Sequence, residues 1–511
     1  MTVDVEGFNK LMEEARERAR GTGAADAKVS LTEIVQKHQF PATEFHGYGQ
    51  TKMDAVTCVH LFKLHGATYE SVEHAEVGDK VALVLERTPF YAESGGQVGD
   101  RGTIENRFGA TVTVEDTIKI GDVVFHLGEV TKGDDKGAFV ACADDSKPHR
   151  LIVDAVRRAK IASNHTMTHV MNHKLRAVLG DAVAQKGSLV DDEKTRFDYS
   201  HNASLSEEEA AKIEELVTAD IAADLPVNWE FAPQADALKI HGLRAVFGEK
   251  YPPQVRVVSI GPKVEELLAK PDNKEWYDRS VEFCGGTHLE RTGDAEGFSI
   301  VSEEAVAKGV RRITAITGEA AHKACATGEQ LLNRASALKG APPEQVVSQI
   351  AEITTALNEQ QVPLLLRSKI RAALSDLQKL VKEYEKERSK EAAGNIVEVA
   401  REIADKSDGK LVVTEVPGAD AETLRTAMDV IRKKQPDAAM LLAAITGDKI
   451  AFLAAVPDAL IKKGLKAGDW VREVAKAAGG GGGGRPDMAQ AGGKDPAKLS
   501  EALQVGKTFA E

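Results

Sequence analysis

His165-Thr166-Met167-Thr168-His169 and, far downstream, Cys284-Gly285-Gly286-Thr287-His288 are the two motifs around which we expect this chain to fold. Each carries two nitrogen or sulfur donors separated by three residues, and four such donors suit tetrahedral zinc. The cysteine argues against magnesium or calcium, which prefer oxygen ligands. The two motifs therefore predict one zinc site with the ligands His165, His169, Cys284 and His288.

The first histidine pair is predicted to lie on one face of a helix. An α-helix advances about 100° per residue, so side chains four residues apart point the same way. Apolar and methyl-bearing residues recur at helical spacing from Asp154 to Leu179, and Gly180 is a typical C-terminal stop. Such a pair is more often two polar side chains on a helix surface, and the Cys-Gly-Gly-Thr-His motif is what favours a metal site. His173 could replace His165 as a ligand, and we treat it as a neighbour.

The second motif is predicted to be a turn between strands. Gly285-Gly286 disfavours a helix and lets the backbone turn sharply between the thiol and the imidazole. Val281, Phe283 and Leu289 indicate strand both before and after this turn.

Composition points to a soluble cytoplasmic protein without membrane segments. No stretch approaches the roughly 20 apolar residues that span a bilayer, and Met1 to Arg20 is charged throughout, unlike a signal peptide. Four cysteines in 511 residues cannot form a disulfide framework and fit a reducing compartment.

The charge pattern leaves nucleic-acid binding open. A net charge of −13 argues against nonspecific coating of nucleic acid, but basic clusters could still contact a phosphate backbone or could simply be solvated helix faces. The clusters are Arg150, Arg157, Arg158 and Lys160; Arg311 and Arg312; and Arg432, Lys433 and Lys434.

We expect a multidomain α+β and α/β protein. Its predicted segments are an N-terminal helix and linker (1–30), a β-barrel subdomain (31–148), a zinc-binding α+β domain (149–320), a helical hairpin or coiled-coil arm (321–395) and a glycine-rich α/β domain (396–511). Short β-rich runs separated by Gly and Asp predict the barrel. Two heptads from Ile370 to Tyr384 predict the arm, which could serve as a dimer contact.

The glycine run from Gly479 to Gly484 has two interpretations. It could be a flexible linker, yet a linker would normally continue with serine or charge, whereas here Arg485-Pro486-Asp487-Met488-Ala489-Gln490 follows. Glycines also let a backbone approach a ligand closely, and exposed N–H groups then favour phosphate.

Six motifs follow one another along the chain: Thr88-Pro89-Phe90-Tyr91 with Gly95-Gly96-Gln97, His165 to His169, Gln185 to Val190, Arg196 to His201, Cys284 to His288, and Gly309 to Ile313. In this order they resemble the editing domain of the alanyl-tRNA synthetase family. The segment from Gly479 to Gly493 resembles the C-terminal domain of the same family.

The resemblance implies zinc-dependent hydrolysis of tRNA(Ala) that carries serine or glycine in error. A pocket for alanine discriminates poorly against other small side chains, so a second, hydrolytic site is needed for accuracy. The family's ligands correspond to His165, His169, Cys284 and His288, and Gln185 matches a glutamine that lines the site. Thr88 and Arg196 are expected in the wall that recognises the seryl group.

Two other functions stay open from the sequence. The chain could be a tRNA-binding and dimerising subunit that completes an alanine-tRNA ligase together with a separate aminoacylation domain. A phosphoesterase unrelated to tRNA would need Asp-His-His metal clusters, which we do not find. The family's aminoacylation domain precedes the region matched here, so we expect no activation of alanine by this chain alone.

Overall fold

The computed structural model describes residues 23–140, 148–246 and 250–511. The helix predicted around Phe8 to Arg20 and Cys142 lie outside the described residues. The chain forms two compact units, one ending at Ala337 and completed by Ala351–Ala373, the other made of Leu338–Ile350 and Leu374–Glu511. The division into five segments stays a prediction.

The first unit begins with a helix and a large antiparallel sheet. The helix is α1 (Gly23–Lys37), in the region where the sequence predicted the end of a linker. The strands are β1 (Glu44–Phe45), β2 (Lys52–Val56), β3 (Cys58–His65), β4 (Thr68–Val72), β5 (His74–Glu76), β6 (Lys80–Leu85), β7 (Arg87–Thr88), β8 (Gly102–Asn106), β9 (Thr111–Ile120), β10 (Val123–Lys132), β11 (Ala138–Val140) and β12 (His149–Val153).

Eight of these strands form one sheet in the order β2-β12-β8-β9-β10-β6-β3-β4, while β1 pairs with β7 and β5 with β11. Central strand β6 is apolar on both faces because both are covered. Val81, Leu83 and Leu85 belong to one core, and Ala82 and Val84 pack into a second core that includes Leu31 of α1. No pairing between edge strands β2 and β4 closes this sheet among the described residues, so the barrel stays a prediction.

The second half of this unit surrounds a long buried helix, α2 (Ala155–Leu179). It begins at Asp154, whose side chain accepts from the Arg157 N–H, and ends at Gly180, whose φ of 93° suits glycine. The predicted helix and both of its ends are therefore confirmed.

Two antiparallel sheets pack around α2. The elements are β13 (Gln185–Val190), β14 (Thr195–Ser200), α3 (Glu207–Ala222), β15 (Val227–Pro233), α4 (Gln234–Ala237), β16 (Gln254–Ile260), α5 (Val264–Ala269), β17 (Ser280–Phe283), β18 (Phe298–Ala307) and β19 (Val310–Thr317), with 3₁₀ turns at Lys274–Asp278 and Thr292–Ala295. The sheet orders are β13-β14-β19-β18 and β15-β16-β17. Strand β17 leads into the Cys284 turn as predicted, but no strand follows at Leu289. Leu289 packs against the core from a loop, so its hydrophobicity reflects burial rather than strand pairing.

Helices follow β19, as predicted. They are α6 (Gly318–Ala337), α7 (Pro343–Glu359) and α8 (Leu364–Lys406), with a 3₁₀ turn at Leu338–Gly340. Helix α8 continues through Gly394 to Lys406 and so crosses the position where we place the boundary between the arm and the glycine-rich domain. In the predicted seam, Ile370, Leu374 and Leu377 are buried, whereas Tyr384 is exposed.

The second unit contains a five-stranded mixed sheet. Its elements are β20 (Leu411–Glu415), α9 (Thr423–Lys434), β21 (Ala439–Thr446), β22 (Lys449–Ala455), α10 (Asp458–Ile461), α11 (Ala467–Ala477), β23 (Gly481–Gly484), β24 (Met488–Gly493) and α12 (Leu499–Ala510), with a 3₁₀ turn at Pro496–Lys498. The order is β20-β21-β22-β24-β23, and only β20 and β21 are parallel. This region therefore combines helices with a mixed sheet.

The glycine run is an edge strand rather than a linker. Gly481–Gly484 pairs with Met488–Gly493, and side chains would not fit at several of its positions. A Cβ on Gly482 would lie 2.3 Å from the Ala491 Cβ. In the described part of the chain, no helix has the length and apolarity needed to cross a membrane.

Candidate functional site

The four predicted ligands meet in one cluster within the first unit. One donor atom from each of His165, His169, Cys284 and His288 lies within 4.8 Å of all the others. Helix α2 supplies the first two, and the turn after β17 supplies the others. The Cys284 Sγ is 3.4 Å from the His165 Nε2 and 3.3 Å from the His288 Nε2.

The two sulfur–nitrogen distances fit a tetrahedral zinc ion. Zn–N bonds of about 2.0–2.1 Å and Zn–S bonds of about 2.3 Å place neighbouring ligand atoms roughly 3.3–3.8 Å apart in a tetrahedron. Both measured sulfur–nitrogen distances fall in this range. His173, one helical turn further along α2, does not belong to the cluster.

Burial controls the protonation of the four side chains. It lowers the pKa of His169 to about 3 and those of His165 and His288 well below their ordinary value, so their rings are neutral near pH 7. It raises the pKa of the Cys284 thiol to about 11, opposed by the Gly286 N–H and the Arg256 guanidinium. Neutral imidazoles are the form that binds a metal, whereas the thiol has to lose its proton on binding.

Gln97 fixes the orientation of His165. Its Oε1 lies 2.7 Å from the His165 Nδ1 and also accepts from the Thr287 N–H at 2.9 Å, while its Nε2 donates to the Thr287 hydroxyl at 2.9 Å. Because the amide oxygen can only accept, the His165 Nδ1 carries the hydrogen. The Nε2 therefore keeps its lone pair on the side of the Cys284 sulfur.

Thr166 fixes His288 in the same way. Its hydroxyl donates to the Ala162 carbonyl at 2.8 Å and so presents a lone pair to the His288 Nδ1, at 3.3 Å. The Nε2 of His288 is again left facing the sulfur.

Glu282 stands behind the third imidazole. Its Oε2 is 3.2 Å from the His169 Nδ1, a close approach without hydrogen-bond alignment. Its Oε1 accepts from Asn172 at 2.9 Å and lies 3.5 Å from the Arg244 Nε. Carboxylates and amides behind metal-binding histidines are a common way of fixing ring orientation.

The Cys-Gly-Gly-Thr-His turn is held by its carbonyl groups. Tyr48 donates to the Gly285 carbonyl at 2.7 Å, and the Arg256 Nη1 donates to the Cys284 and Gly286 carbonyls at 3.0 and 2.7 Å. A Cβ on Gly286 would lie 2.1 Å from the His165 ring and 2.7 Å from the Gln97 Oε1. Glycine at 286 is therefore required for the two motifs to meet.

The cluster opens into a cleft of about 770 Å³. His165, His169 and Cys284 line this cleft together with Gln185 and Ser188. The Gln185 Nε2 lies 3.3 Å from the Ser188 hydroxyl, so two polar side chains sit together in the same cleft. Such a cavity can admit a small acyl group with a polar substituent.

The other two residues predicted for the wall of the site lie elsewhere. Thr88 is fully buried, and its hydroxyl contacts the His126 Nε2 at 2.7 Å and accepts from the Phe90 N–H at 3.0 Å. Arg196 lies in β14 and, like Thr88, is not among the residues that line the cleft. Neither residue lines this cleft, and their role in recognising the seryl group stays a prediction.

Several of the predicted phosphate-binding arginines are already paired. Arg158 is buried against the carboxylate of Asp100, and Arg157 pairs with Asp192. Arg311 and Arg312 pair with Glu303 and Asp198. These contacts make the arginines part of the fold, and nucleic-acid contact by any of the basic clusters stays a prediction.

Sequence reasoning missed the residues that orient the ligands. Gln97 ends a glycine-rich motif that we had noted, so a signal for it was present. Glu282, Arg256 and Tyr48 carried no local signal, because each reaches the site only through tertiary contacts.

Comparison with known proteins agrees with this site. The family model for threonyl and alanyl tRNA synthetase second additional domains matches residues 255–314, which include Cys284 and His288. The model for class II (A) tRNA synthetases matches residues 1–147, and that for the DHHA1 domain matches residues 408–511. The class is thus that of the tRNA synthetases with an additional domain.

Curated relatives specify the family further. The alanine–tRNA ligase of Burkholderia mallei (strain NCTC 10229) is 39% identical over 513 residues, which cover 100% of this chain and 52% of the relative. The alanine–tRNA ligase of Polynucleobacter asymbioticus is 38% identical over 510 residues, with the same coverage of both chains. The chain belongs to the alanyl-tRNA synthetase family and spans about half the length of these relatives.

A solved structure matches about a fifth of this chain. The C-Ala domain from Aquifex aeolicus alanyl-tRNA synthetase is 36% identical and covers 20% of this chain and 89% of that chain. Its TM-score of 0.18 supports no structural argument.

Proposed function

We propose that the first unit hydrolyses the ester of tRNA(Ala) that carries serine or glycine in error. The observation that carries this proposal is the donor cluster of His165, His169, Cys284 and His288, which opens into a cleft beside Gln185 and Ser188. The match to the additional domain of threonyl and alanyl tRNA synthetases supports the same assignment.

The cleft residues suit recognition of a small polar acyl group. The Gln185 amide and Ser188 hydroxyl can exchange hydrogen bonds with the hydroxyl of a seryl group, and alanine has no such hydroxyl. We propose zinc as the resident metal because three neutral imidazoles and a thiol are the donor set that zinc prefers. With four protein ligands a bound zinc ion would be closed as in structural sites and would supply a fixed scaffold, whereas Lewis-acid polarisation would require one ligand to leave.

The chain's own residues prepare this site before any ligand binds. Gln97 and Thr166 set the hydrogens on two imidazoles, and Arg256 holds the turn that carries Cys284. The partner is then tRNA(Ala), and the second unit contributes tRNA binding or pairing between copies of the chain.

The test measures release of labelled serine from Ser-tRNA(Ala), with Ala-tRNA(Ala) as the control substrate and with and without a chelator. Hydrolysis of Ser-tRNA(Ala) should disappear in Cys284→Ala and on chelation. His173→Ala is the matched control, because His173 lies on the same helix outside the cluster and its removal should leave hydrolysis intact. Full activity of Cys284→Ala would remove the assignment. If the unmodified chain released no serine, the hydrolytic function would be wrong and the alternative function as a tRNA-binding subunit would be favoured.

A further inference from the structure

A column of aromatic rings and one guanidinium runs outward from the Cys-Gly-Gly-Thr-His turn. The Arg256 Cζ lies 4.0 Å from the centre of the Tyr48 ring and 4.6 Å from that of Trp229. The Tyr48 and Trp229 rings are 5.1 Å apart, and Phe231 follows Trp229 at 6.3 Å in an edge-to-face contact. We call Tyr48, Arg256, Trp229 and Phe231 the π column.

The inner end of the π column is anchored to the donor cluster. Tyr48 and Arg256 together bind the carbonyls of residues 284, 285 and 286. The Arg256 Nε is buried and has no hydrogen-bond partner, so the guanidinium is held by the rings as well as by these carbonyls. The inner end of the column is thus fixed relative to the Cys284 sulfur.

The outer end of the π column is exposed. Trp229 and Phe231 lie on one face of edge strand β15, because side chains two residues apart in a strand point the same way. Trp229 is 42% exposed and Phe231 57% exposed. Phe231 also lines the cleft that holds His165, His169 and Cys284, so the column connects the donor cluster with solvent.

We propose that the π column is a stacking site for the unpaired nucleotides at the 3′ end of the RNA. Nucleobases stack on aromatic rings and on guanidinium planes, and such stacking tolerates different bases. The inference rests on the proposed function in one respect: an ester in the cleft brings its terminal nucleotides to Phe231 and Trp229. Chain composition favours stacking over phosphate contacts, because the net charge is −13 and Arg157, Arg158, Arg311 and Arg312 are engaged in ion pairs.

The test compares two uncharged RNA hairpins, one with an unpaired ACCA 3′ end and one with a blunt end. Binding to the full chain is measured by fluorescence anisotropy with a label on the hairpin loop. The ACCA end should strengthen binding. Trp229→Ala and Phe231→Ala should each weaken binding of the ACCA hairpin by about five- to 150-fold, the range expected for loss of one base stack. The gain should depend little on salt, since phosphate contacts contribute little to it.

Two further variants separate base stacking from general apolar contact. Trp229→Phe should keep most of the gain, whereas Trp229→Leu should lose it, because leucine offers apolar area without a ring. The matched control is Phe108→Ala, since Phe108 is 49% exposed and lies 4.7 Å from a guanidinium, that of Arg107, in the β8–β9 connection. Binding of the ACCA hairpin should not change in this control.

The outcomes separate the π column from the proposed function. Equal binding of both hairpins, unchanged binding of the two alanine variants, or full binding by Trp229→Leu would each overturn the stacking site, the last because apolar contact without a ring would then be sufficient. A chain that stacks ACCA through Trp229 but releases no serine from Ser-tRNA(Ala) keeps the π column and loses the hydrolytic assignment. Serine release with unaltered ACCA binding in both alanine variants does the reverse.

Discussion

Replacing Gln97 by methionine should weaken metal binding without touching any metal ligand. Methionine keeps nearly the same volume but removes the amide that contacts the His165 Nδ1, the Thr287 N–H and the Thr287 hydroxyl. Gln97 is completely buried, so no bulk water replaces these bonds.

Two independent estimates give similar magnitudes for this loss. Leaving a buried donor such as the Thr287 N–H without a partner costs about 1–3 kcal/mol. Loss of a residue that orients a metal-binding histidine lowers metal affinity by about 10- to 100-fold. At about 1.4 kcal/mol per tenfold, that equals roughly 1.4–2.7 kcal/mol. We therefore expect Gln97→Met to bind zinc about 10- to 100-fold more weakly.

The measurement is a zinc titration in competition with a chromophoric chelator. Gln97→Glu should recover most of the affinity, because a carboxylate still accepts from the His165 Nδ1–H and the Thr287 N–H. Gln185→Met is the matched control: Gln185 lines the same cleft and makes no contact with a ligand of the cluster, so zinc affinity should stay unchanged. Nitrogen NMR of labelled histidine should find the Nδ1–H tautomer at His165 in the unmodified protein.

Zinc binding by Gln97→Met as tight as that of the unmodified chain would contradict an orienting role for Gln97. A hydrogen on the Nε2 of His165 would contradict it as well.

Three further predictions concern the fold. Gly480→Ala should lower the free energy of unfolding of the second unit by about 1–3 kcal/mol, because the new methyl would lie 1.8 Å from a carbonyl oxygen. Gly481→Ala meets nothing within 4 Å and should change it by less than about 0.5 kcal/mol; equal urea midpoints would contradict this explanation. Arg158→Met leaves the Asp100 carboxylate buried without its cation and should cost about 3–5 kcal/mol in thermal unfolding, so an unchanged melting temperature would argue against a structural ion pair. Burial raises the pKa of Glu214 to about 7, so the folded chain keeps a proton that the unfolded chain releases above about pH 4.5, and stability falls from that pH to about 7. Glu214→Gln should therefore be more stable than the unmodified chain by up to about 3 kcal/mol at pH 8 and equal to it below pH 4; a difference that does not depend on pH would refute the assignment.

Local sequence signals were sufficient for single helices and strands. Helix α2 was predicted with both ends because Asp154 and Gly180 act within a turn of the residues they cap. The strand predicted before the Cys284 turn is likewise present as β17 (Ser280–Phe283). A single glycine costs a helix only about 1 kcal/mol, so the 43-residue helix α8 tolerates Gly394 in its interior.

The metal donors were predictable from residue chemistry, whereas their surroundings were not. The two motifs together contain three imidazoles and a thiol, and these residue types form one known donor set for a metal ion. The contacts of Gln97 span 68 and 190 residues of sequence, and no local pattern reports which loop packs on which helix. Thr88 shows the same limit, since its residue type suited a polar wall while tertiary packing turned it towards His126.

The position of Gln97 also sets where the molecule can be cut. Its loop comes from the part of the chain that carries the large antiparallel sheet, yet it completes the surroundings of a histidine on α2. An engineered fragment that starts at α2 would keep all four donors and lose the acceptor that aligns one of them. An excised portion that keeps the four donors together with this acceptor has to begin upstream of Gln97.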